Sequence, residues 1–312
     1  MNNNQQSGEV NPASKPNCPL CLGINIKAIG NPQLSEKAKE YIKADYRVFK
    51  CELCKYYFVY PRISFTNEQW KEIYGKAYFA PMTKWWAEER SRNRKYRLNL
   101  IQHYHKGPIR KFLDVGCGEG YVLIDALKKN WDVYGLDISD YRVEKAKTDK
   151  IEFSECDLLN ASYPDNFFDA VHLDSVLEHV IDPNQLLVEI NRVTKVGGLA
   201  YFAVPNEDSL TNWGRKLFYI LSGKSELSPA IKPFKSPFHV VGFTKKSLID
   251  MLKHNDFQTL FIRNFGGTNE WRKHKLFSRS FILNFGLLPM HFAARMFKKS
   301  IYIEVVAQKQ LS

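Results

Sequence analysis

Between Arg110 and Pro205 the sequence alternates short apolar runs with segments of helical character. RKFLDV, WDVYGLD, IEFSEC, FDAVHL and LAYFAVP read as strands; GYVLIDALKK, DYRVEKAK and NQLLVEINRV read as helices. Parallel strands need crossovers of about a dozen residues and bury both faces under them, so this order predicts a doubly wound α/β sheet. Ligands of such sheets lie outside the carboxyl ends of the strands. The full chain has 312 residues, 44% of them hydrophobic, which is enough for one such domain with an appendage.

The first strand ends in FLDVGCGEG, with Gly116, Gly118 and Gly120 at every second position. A dinucleotide site asks for G-x-G-x-x-G, but here the third glycine comes one residue early and Tyr121 stands in its place. Asp114 and Glu119 would repel a pyrophosphate. They suit a cationic ligand, and S-adenosylmethionine carries a sulfonium and an ammonium with no phosphate. Asp137, closing the second strand in VYGLDIS, can accept both ribose hydroxyls, and Asp157, in CDLL, can accept from the adenine amine. Ile138, Leu158 and Asp174, beside these acids or at the next strand end, complete the expected cofactor-binding set.

Four of the six cysteines form two C-x-x-C pairs, Cys18 with Cys21 and Cys51 with Cys54. Two residues between thiolates let both sulfurs of a tight turn face one tetrahedral ion, and two such turns make a closed four-sulfur zinc site. Four protein ligands leave no open position, so the expected zinc is structural. A disulfide pair or redox dithiols are the alternatives, and no secretory signal favours an oxidising compartment. Cys117 and Cys156 read as packed residues.

The stretches FLDVGCGEG, VYGLDIS, CDLL, FDAVHLDSVLEHVIDP and RVTKVGGLAYFAVPN stand in the order and spacing of class I S-adenosylmethionine-dependent methyltransferases, which residues 111 to 203 resemble. The resemblance implies a Rossmann-like seven-stranded sheet with an antiparallel last strand, for which QTLFIRNF and IYIEVVAQK are the late candidates. It also implies that Gly116 and Gly118 approach the cofactor while Asp137 and Asp157 hold its ribose and adenine. CELCKYYFVYPR, IYGKAYF and SPFHVVGFTKKSLIDMLKHNDF resemble a bacterial subgroup of these enzymes with a zinc knuckle at the front, whose suspected substrates are sugars, lipids, quinones or secondary metabolites. In the last of these stretches Thr244 is a helix cap, and Leu248, Met251 and Leu252 form an apolar stripe.

Methyl transfer is an in-line displacement that asks mainly for alignment in a dry pocket, but a hydroxyl acceptor benefits from a base. Glu178 and His179 in LEHV are the catalytic candidates, the alternative being that both only orient their loop. In ubiquinone-type enzymes an acid three residues before the position of Glu178 helps bind a metal; here Ser175 stands there beside Asp174, which points away from a catalytic metal. His239 can reach the same pocket, and Tyr74, Tyr78 and Phe79 can face a sulfonium.

The resulting domain map is a polar tail (1–17), a zinc-knuckle segment (18–62), a helical linker and cofactor lid (63–109), and a methyltransferase domain (110–312) whose insertions at 207–240 and 266–300 build the acceptor pocket. Charge follows this map. Residues 1–109 hold 18 Lys and Arg against 9 Asp and Glu, residues 110–204 hold 10 against 17, and residues 205–312 hold 17 against 7. The basic flanks admit an anionic partner, so an RNA-modifying methyltransferase is the second reading after a small-molecule, sugar or lipid-linked acceptor. FSRSFILNFGLLPMHFAARMFKK can be an interfacial helix touching a membrane or a buried lid of the pocket. No run reaches the roughly 18–20 apolar residues of a spanning helix and no signal peptide is evident, so a cytoplasmic protein is expected.

Overall fold

The computed structural model describes residues 16–31, 34, 40–41, 46–62, 66–73, 83–223 and 239–311. In chain order the elements are β1 (Ile26–Gly30), β2 (Arg47–Cys51), β3 (Tyr57–Tyr60), α1 (Asn67–Ile73), α2 (Lys84–Tyr104), β4 (Lys111–Val115), α3 (Tyr121–Leu127), β5 (Asp132–Asp137), β6 (Ile151–Glu155) and β7 (Phe168–Asp174). They continue with α4 (Pro183–Val193), β8 (Thr194–Pro205), α5 (Leu210–Leu221), β9 (Val241–Gly242), α6 (Lys245–His254), β10 (Phe257–Phe265), α7 (Arg279–Gly286), α8 (Leu288–Met296) and β11 (Tyr302–Lys309).

The alternating stretch forms the parallel part of a seven-stranded sheet of order β10-β11-β8-β7-β4-β5-β6. β4 pairs in parallel with β5 on one side and β7 on the other. β11 enters antiparallel between β8 and β10. Apolar runs without alternation become the central strands: β7 buries six successive residues and β8 its last eight. That is the pattern of strands covered on both faces. Because the chain leaves β4 and β7 in different directions, their following loops part and open a crevice at the carboxyl ends of the strands.

The cysteine-rich segment forms a second sheet, antiparallel, of order β1-β2-β3-β9. Its fourth strand comes from Val241–Gly242, far along the chain, and Tyr56 packs against Phe243 with ring centroids 5.5 Å apart. Cys18, Tyr56 and Phe58 share one apolar cluster with Leu113, Phe202 and Leu248. The segment 18–62 is therefore joined to the larger sheet through a common core.

Two local readings change. DYRVEKAK, expected as a helix, holds only a 3-10 turn at Glu144–Ala146. Asp140 Oδ1 accepts from the backbone N–H of Arg142 at 3.1 Å, and the Val143 N–H donates to Glu119 O, so competing bonds hold the start of the segment out of a helix. The C-terminal apolar stretch is two short helices, α7 and α8, meeting at Leu287, with Pro289 in the first turn of the second. α7 buries none of its residues, so it is not a buried lid. By contrast α6 has the capping box of Thr244 and Ser247, and its stripe of Leu248, Met251 and Leu252 is wholly buried. Residues 1–15 of the tail, Tyr74, Tyr78 and Phe79, and residues 224–238 of the first insertion lie outside the described residues.

Gly120 opens α3 with φ +74°, and a Cβ on it would stand 2.7 Å from the Cβ of Ala146. Gly120→Ala is expected to lower stability by about 1–3 kcal/mol, read as a shift in the urea midpoint at unchanged slope.

Candidate functional site

The crevice is a cavity of roughly 1370 Å³. Its wall includes Asp114, Gly116, Gly118, Glu119, Gly120, Asp137, Ile138, Asp157, Leu158, Asp174 and His179. The turn after β4 folds back on β5: the N–H groups of Gly116 and Cys117 donate to Leu136 O, and that of Gly118 donates to Asp137 Oδ2 at 2.8 Å. Gly116 has φ +69°, and a Cβ there would meet Val176 Cγ2 at 2.7 Å, so only glycine lets the turn lie against the loop after β7.

The acids differ in what they already hold. Burial pushes the Asp137 carboxyl above its usual range, opposed by the N–H groups of Gly118, Ser139 and Ile138. Asp114 is buried beneath the cavity floor and accepts from or shares a proton with His172 Nδ1 at 2.7 Å; burial raises its pKa too, against the pull of His172. Burial works the same way on Asp174, but the Arg97 guanidinium bonded to it reverses the outcome and holds it below the usual range. Asp157 caps the turn Leu158–Asn160, taking Asn160 N at 3.1 Å and Asn160 Nδ2 at 2.8 and 2.9 Å.

Sequence reasoning missed the cations facing these acids. Arg90, Arg94 and Arg97 stand on one face of α2 and all line the cavity. Arg90 reaches Glu119 at 3.4 Å, Arg94 reaches Asp125 at 3.2 Å and lies over the Tyr121 ring, and Arg97 pairs with Asp174. The spacing of four and three in ERSRNRKYR was visible. Its acidic partners were not, because they come from other elements. With Glu119, Asp174 and Asp114 each facing a basic side chain, Asp137 and Asp157 are the cavity acids without an ion pair among the described residues.

His179 lines the cavity; its neighbour Glu178 does not. Glu178 is buried, and its nearest ionisable neighbours are His179 Nε2 at 3.9 Å and His239 Nε2 at 4.0 Å. The two imidazoles pack edge to face, 4.6 Å between centroids. Burial lifts the Glu178 carboxyl from 4.5 to about 8, with Asp174 adding to the rise and its own N–H and Ser175 opposing it. It therefore holds its proton more tightly than an ordinary carboxyl.

Away from this cavity the four knuckle sulfurs converge, all within 4.8 Å of one another. Each turn closes the same way, Leu22 N–H to Cys18 O and Lys55 N–H to Cys51 O, with Leu22 and Lys55 at positive φ. Cys18 and Cys54 sulfurs are 3.5 Å apart and Cys21 and Cys51 sulfurs 3.6 Å, too far for disulfides and close to the ~3.8 Å edge of a tetrahedron with zinc–sulfur bonds of ~2.3 Å. The hydrogen bond with Cys54 draws the Cys18 thiol down to about 5 and drives Cys54 up. The donor set fits a zinc ion.

A family model described as a methyltransferase domain matches residues 113–202, the run from β4 into β8. With the sheet order and the glycine turn, residues 113–202 form a methyltransferase domain. A 37.1 kDa protein in transposon TN4556 of Streptomyces fradiae is 32% identical over 126 residues, 38% of this chain and 36% of that one. Sterol 24-C-methyltransferase erg6 of Aspergillus fumigatus is 36% identical over 98 residues, 28% of this chain and 26% of that one. Ubiquinone biosynthesis O-methyltransferase of Vibrio atlanticus is 28% identical over 174 residues, 53% of this chain and 71% of that one. The chain thus spans about a third or less of the length of the first two relatives.

A buried carboxyl whose pKa rises on folding binds its proton more tightly in the native state, so its contribution is whole below 4.5 and is lost as pH rises through about 8. Glu178→Gln is expected to gain stability over the parent chain by on the order of 2 kcal/mol at about pH 9 relative to about pH 5, measured by urea unfolding at both. An equal difference at the two pH values would mean that Glu178 is ionised in the native chain.

Proposed function

We propose that the chain is an S-adenosylmethionine-dependent methyltransferase that methylates an oxygen of a small-molecule, sugar or lipid-linked acceptor, in a bacterial subgroup stapled at the front by structural zinc. The observation that carries this reading is the meeting in one cavity of the glycine turn and Asp137 with His179.

S-adenosylmethionine, when bound, supplies an electrophilic methyl group on a sulfonium. Asp137, oriented by the Gly118 N–H, takes the ribose hydroxyls, and the backbone around Leu158 faces the adenine. Asp157 is already engaged by Asn160, so its part is to shape that loop as well as to accept from the base. Arg97 keeps Asp174 ionised at the end of β7. His179 takes the proton of the acceptor hydroxyl. As its ring becomes cationic, the Glu178 carboxyl, with Oε1 3.9 Å from His179 Nε2, lies beside the new charge. A sterol and a quinone in the names of the relatives suit a small-molecule acceptor. The RNA reading draws no such support from them.

Asp137→Ala is expected to weaken S-adenosylmethionine binding by about 10–100-fold in calorimetry, the loss of one or two hydrogen bonds to a charged acceptor. Unchanged affinity would remove the ribose assignment. His179→Ala should keep cofactor affinity and lower kcat by about 10²–10⁴-fold; a full rate would remove His179 as the base. Metal analysis should find about one zinc per chain, and a strong chelator should destabilise the four-stranded sheet. To find the acceptor, methyl-labelled S-adenosylmethionine is incubated with the chain and RNA, lipid, glycan and small-molecule fractions of a lysate. Label in RNA that disappears at raised salt would overturn the reading.

A further inference from the structure

Three helices beside the cavity expose the side chains that a soluble fold normally buries. α5 has only Asn212 buried, and Phe218 on it is 65% exposed. α7 buries nothing, Phe277 just before it is 78% exposed, and on and after α8 Phe292 is 59% and Phe297 66% exposed. The helices are neighbours: Met290 Sδ would touch a Cβ placed on Gly214 at 3.5 Å. Scattered exposed apolar residues are ordinary, but aromatic residues on adjoining helices make a face.

Charge decides what covers it. Residues 271–299 hold seven Lys and Arg and no Asp or Glu; Arg272, Lys273 and Lys299 are paired with Glu89, Glu270 and Asp208, and Lys216 of α5 donates to Tyr57, which leaves Arg215, Lys275, Arg279, Arg295 and Lys298 without an ion pair among the described residues. A protein partner that met this face would have to bury those cations or match each one. A bilayer accepts the rings below its headgroups while the cations stay at phosphate level. The same region forms one wall of the cavity, through Gly266, Gly267, Lys273 and Arg295.

We propose that α5, α7 and α8 together seat the chain on an anionic lipid bilayer, with the mouth of the cavity beside that surface so that the acceptor is a lipid or lipid-linked molecule. The docking stands on the exposed face; the lipid acceptor rests on the methyl-transfer reading above. Phe218, Phe292 and Phe297 enter the acyl boundary, and Lys275 and Lys298 meet the phosphates. Arg295, which has no ion-pair partner among the described residues and lines the cavity, stands where a headgroup would pass inward.

The test is co-sedimentation of the full chain with phosphatidylglycerol-rich vesicles and with pure phosphatidylcholine vesicles, and calorimetry with S-adenosylmethionine on the same preparation. The expected result is binding to the anionic vesicles that weakens with salt, falls about tenfold or more in F218E/F292E, and falls less steeply in K275E/K298E, with thermal stability and cofactor affinity kept. A chain that binds the cofactor but not anionic vesicles, or binds them equally well as F218E/F292E, overturns the docking. So does a dimer in solution that the same double variant dissociates, since a second copy would then cover the face. Vesicle binding without cofactor binding would keep the docking and overturn the methyl-transfer reading, and with it the lipid acceptor.

Discussion

A single polar line crosses the apolar sheet, and the cavity depends on it. Asp114 on β4 meets His172 on β7; the His172 ring stacks on Tyr201 of β8, 5.0 Å between centroids; the Tyr201 hydroxyl donates to Glu304 Oε2 of β11 at 2.7 Å; and Glu304 pairs with Arg263 of β10. Arg97 of α2 lies over the Tyr201 ring and closes the line against Asp174. A charge buried alone would cost several kcal/mol, so each member holds the next in place. Five neighbouring strands and the covering helix are thereby fixed in one register, and the acids at the cavity floor are held at defined heights. An apolar substitution of the same shape at any one of these sites would orphan its neighbour rather than merely remove a contact.

That line also shows where a sequence stops being legible. The alternation of strands and helices and the glycine turn could be read because each has a local mark: an apolar run, a spacing, an acid at a strand end; the antiparallel β11 was implied only by the family resemblance. Asp114 and His172 are directly opposite in the parallel β4–β7 pair, as are His172 and Tyr201 in β7–β8, but those partners are 58 and 29 residues apart in sequence and nothing local joins them. The same is true of Arg97 and Asp174. Glu178 shows the same limit of a local reading. LEHV marks a loop at the cavity, but the residues differ in depth: His179 lines the cavity, while Glu178 is buried behind it, 3.9 Å from His179 Nε2. The lost helix in DYRVEKAK failed on competition: its apolar spacing allows a helix, and Asp140 with Arg142 outbids it locally.

The knuckle segment raises a different question, why a four-cysteine staple is needed by a chain with so large a core. β1 to β3 supply five, five and four residues, and β1 is only partly buried. Three short strands of this kind are marginal alone. Two things complete them: the convergent sulfurs at one end, and the two-residue strand Val241–Gly242 at the other. β9 directly precedes α6 and follows the loop that carries His239, whose ring touches His179. The cysteine-rich sheet is therefore tied to one side of the cavity through the Val59 N–H to Val240 O bond and the Val240 N–H to Glu178 O bond.

Charge is divided between the inside and outside of the same cavity. Among the acids in residues 110–204, Asp114, Glu119, Asp137, Asp157 and Asp174 gather at the carboxyl ends of strands, where α2 answers two of them with Arg90 and Arg97. Part of the excess of cations in residues 205–312, Arg215, Lys275, Arg279, Arg295 and Lys298, lies on or beside the outer helices, next to exposed rings. If basic residues served only solubility, the apolar side of these helices would be expected to turn inward, as it does in α6, where Leu248, Met251 and Leu252 are fully buried. α5, α7 and α8 do the reverse within the same domain and at the same surface. Solvation of a lysine stem is compatible with water on every side, but a row of exposed phenylalanines is not at its free-energy minimum there. In the docking proposed above, a second, apolar phase meets the rings while the cations remain at its boundary.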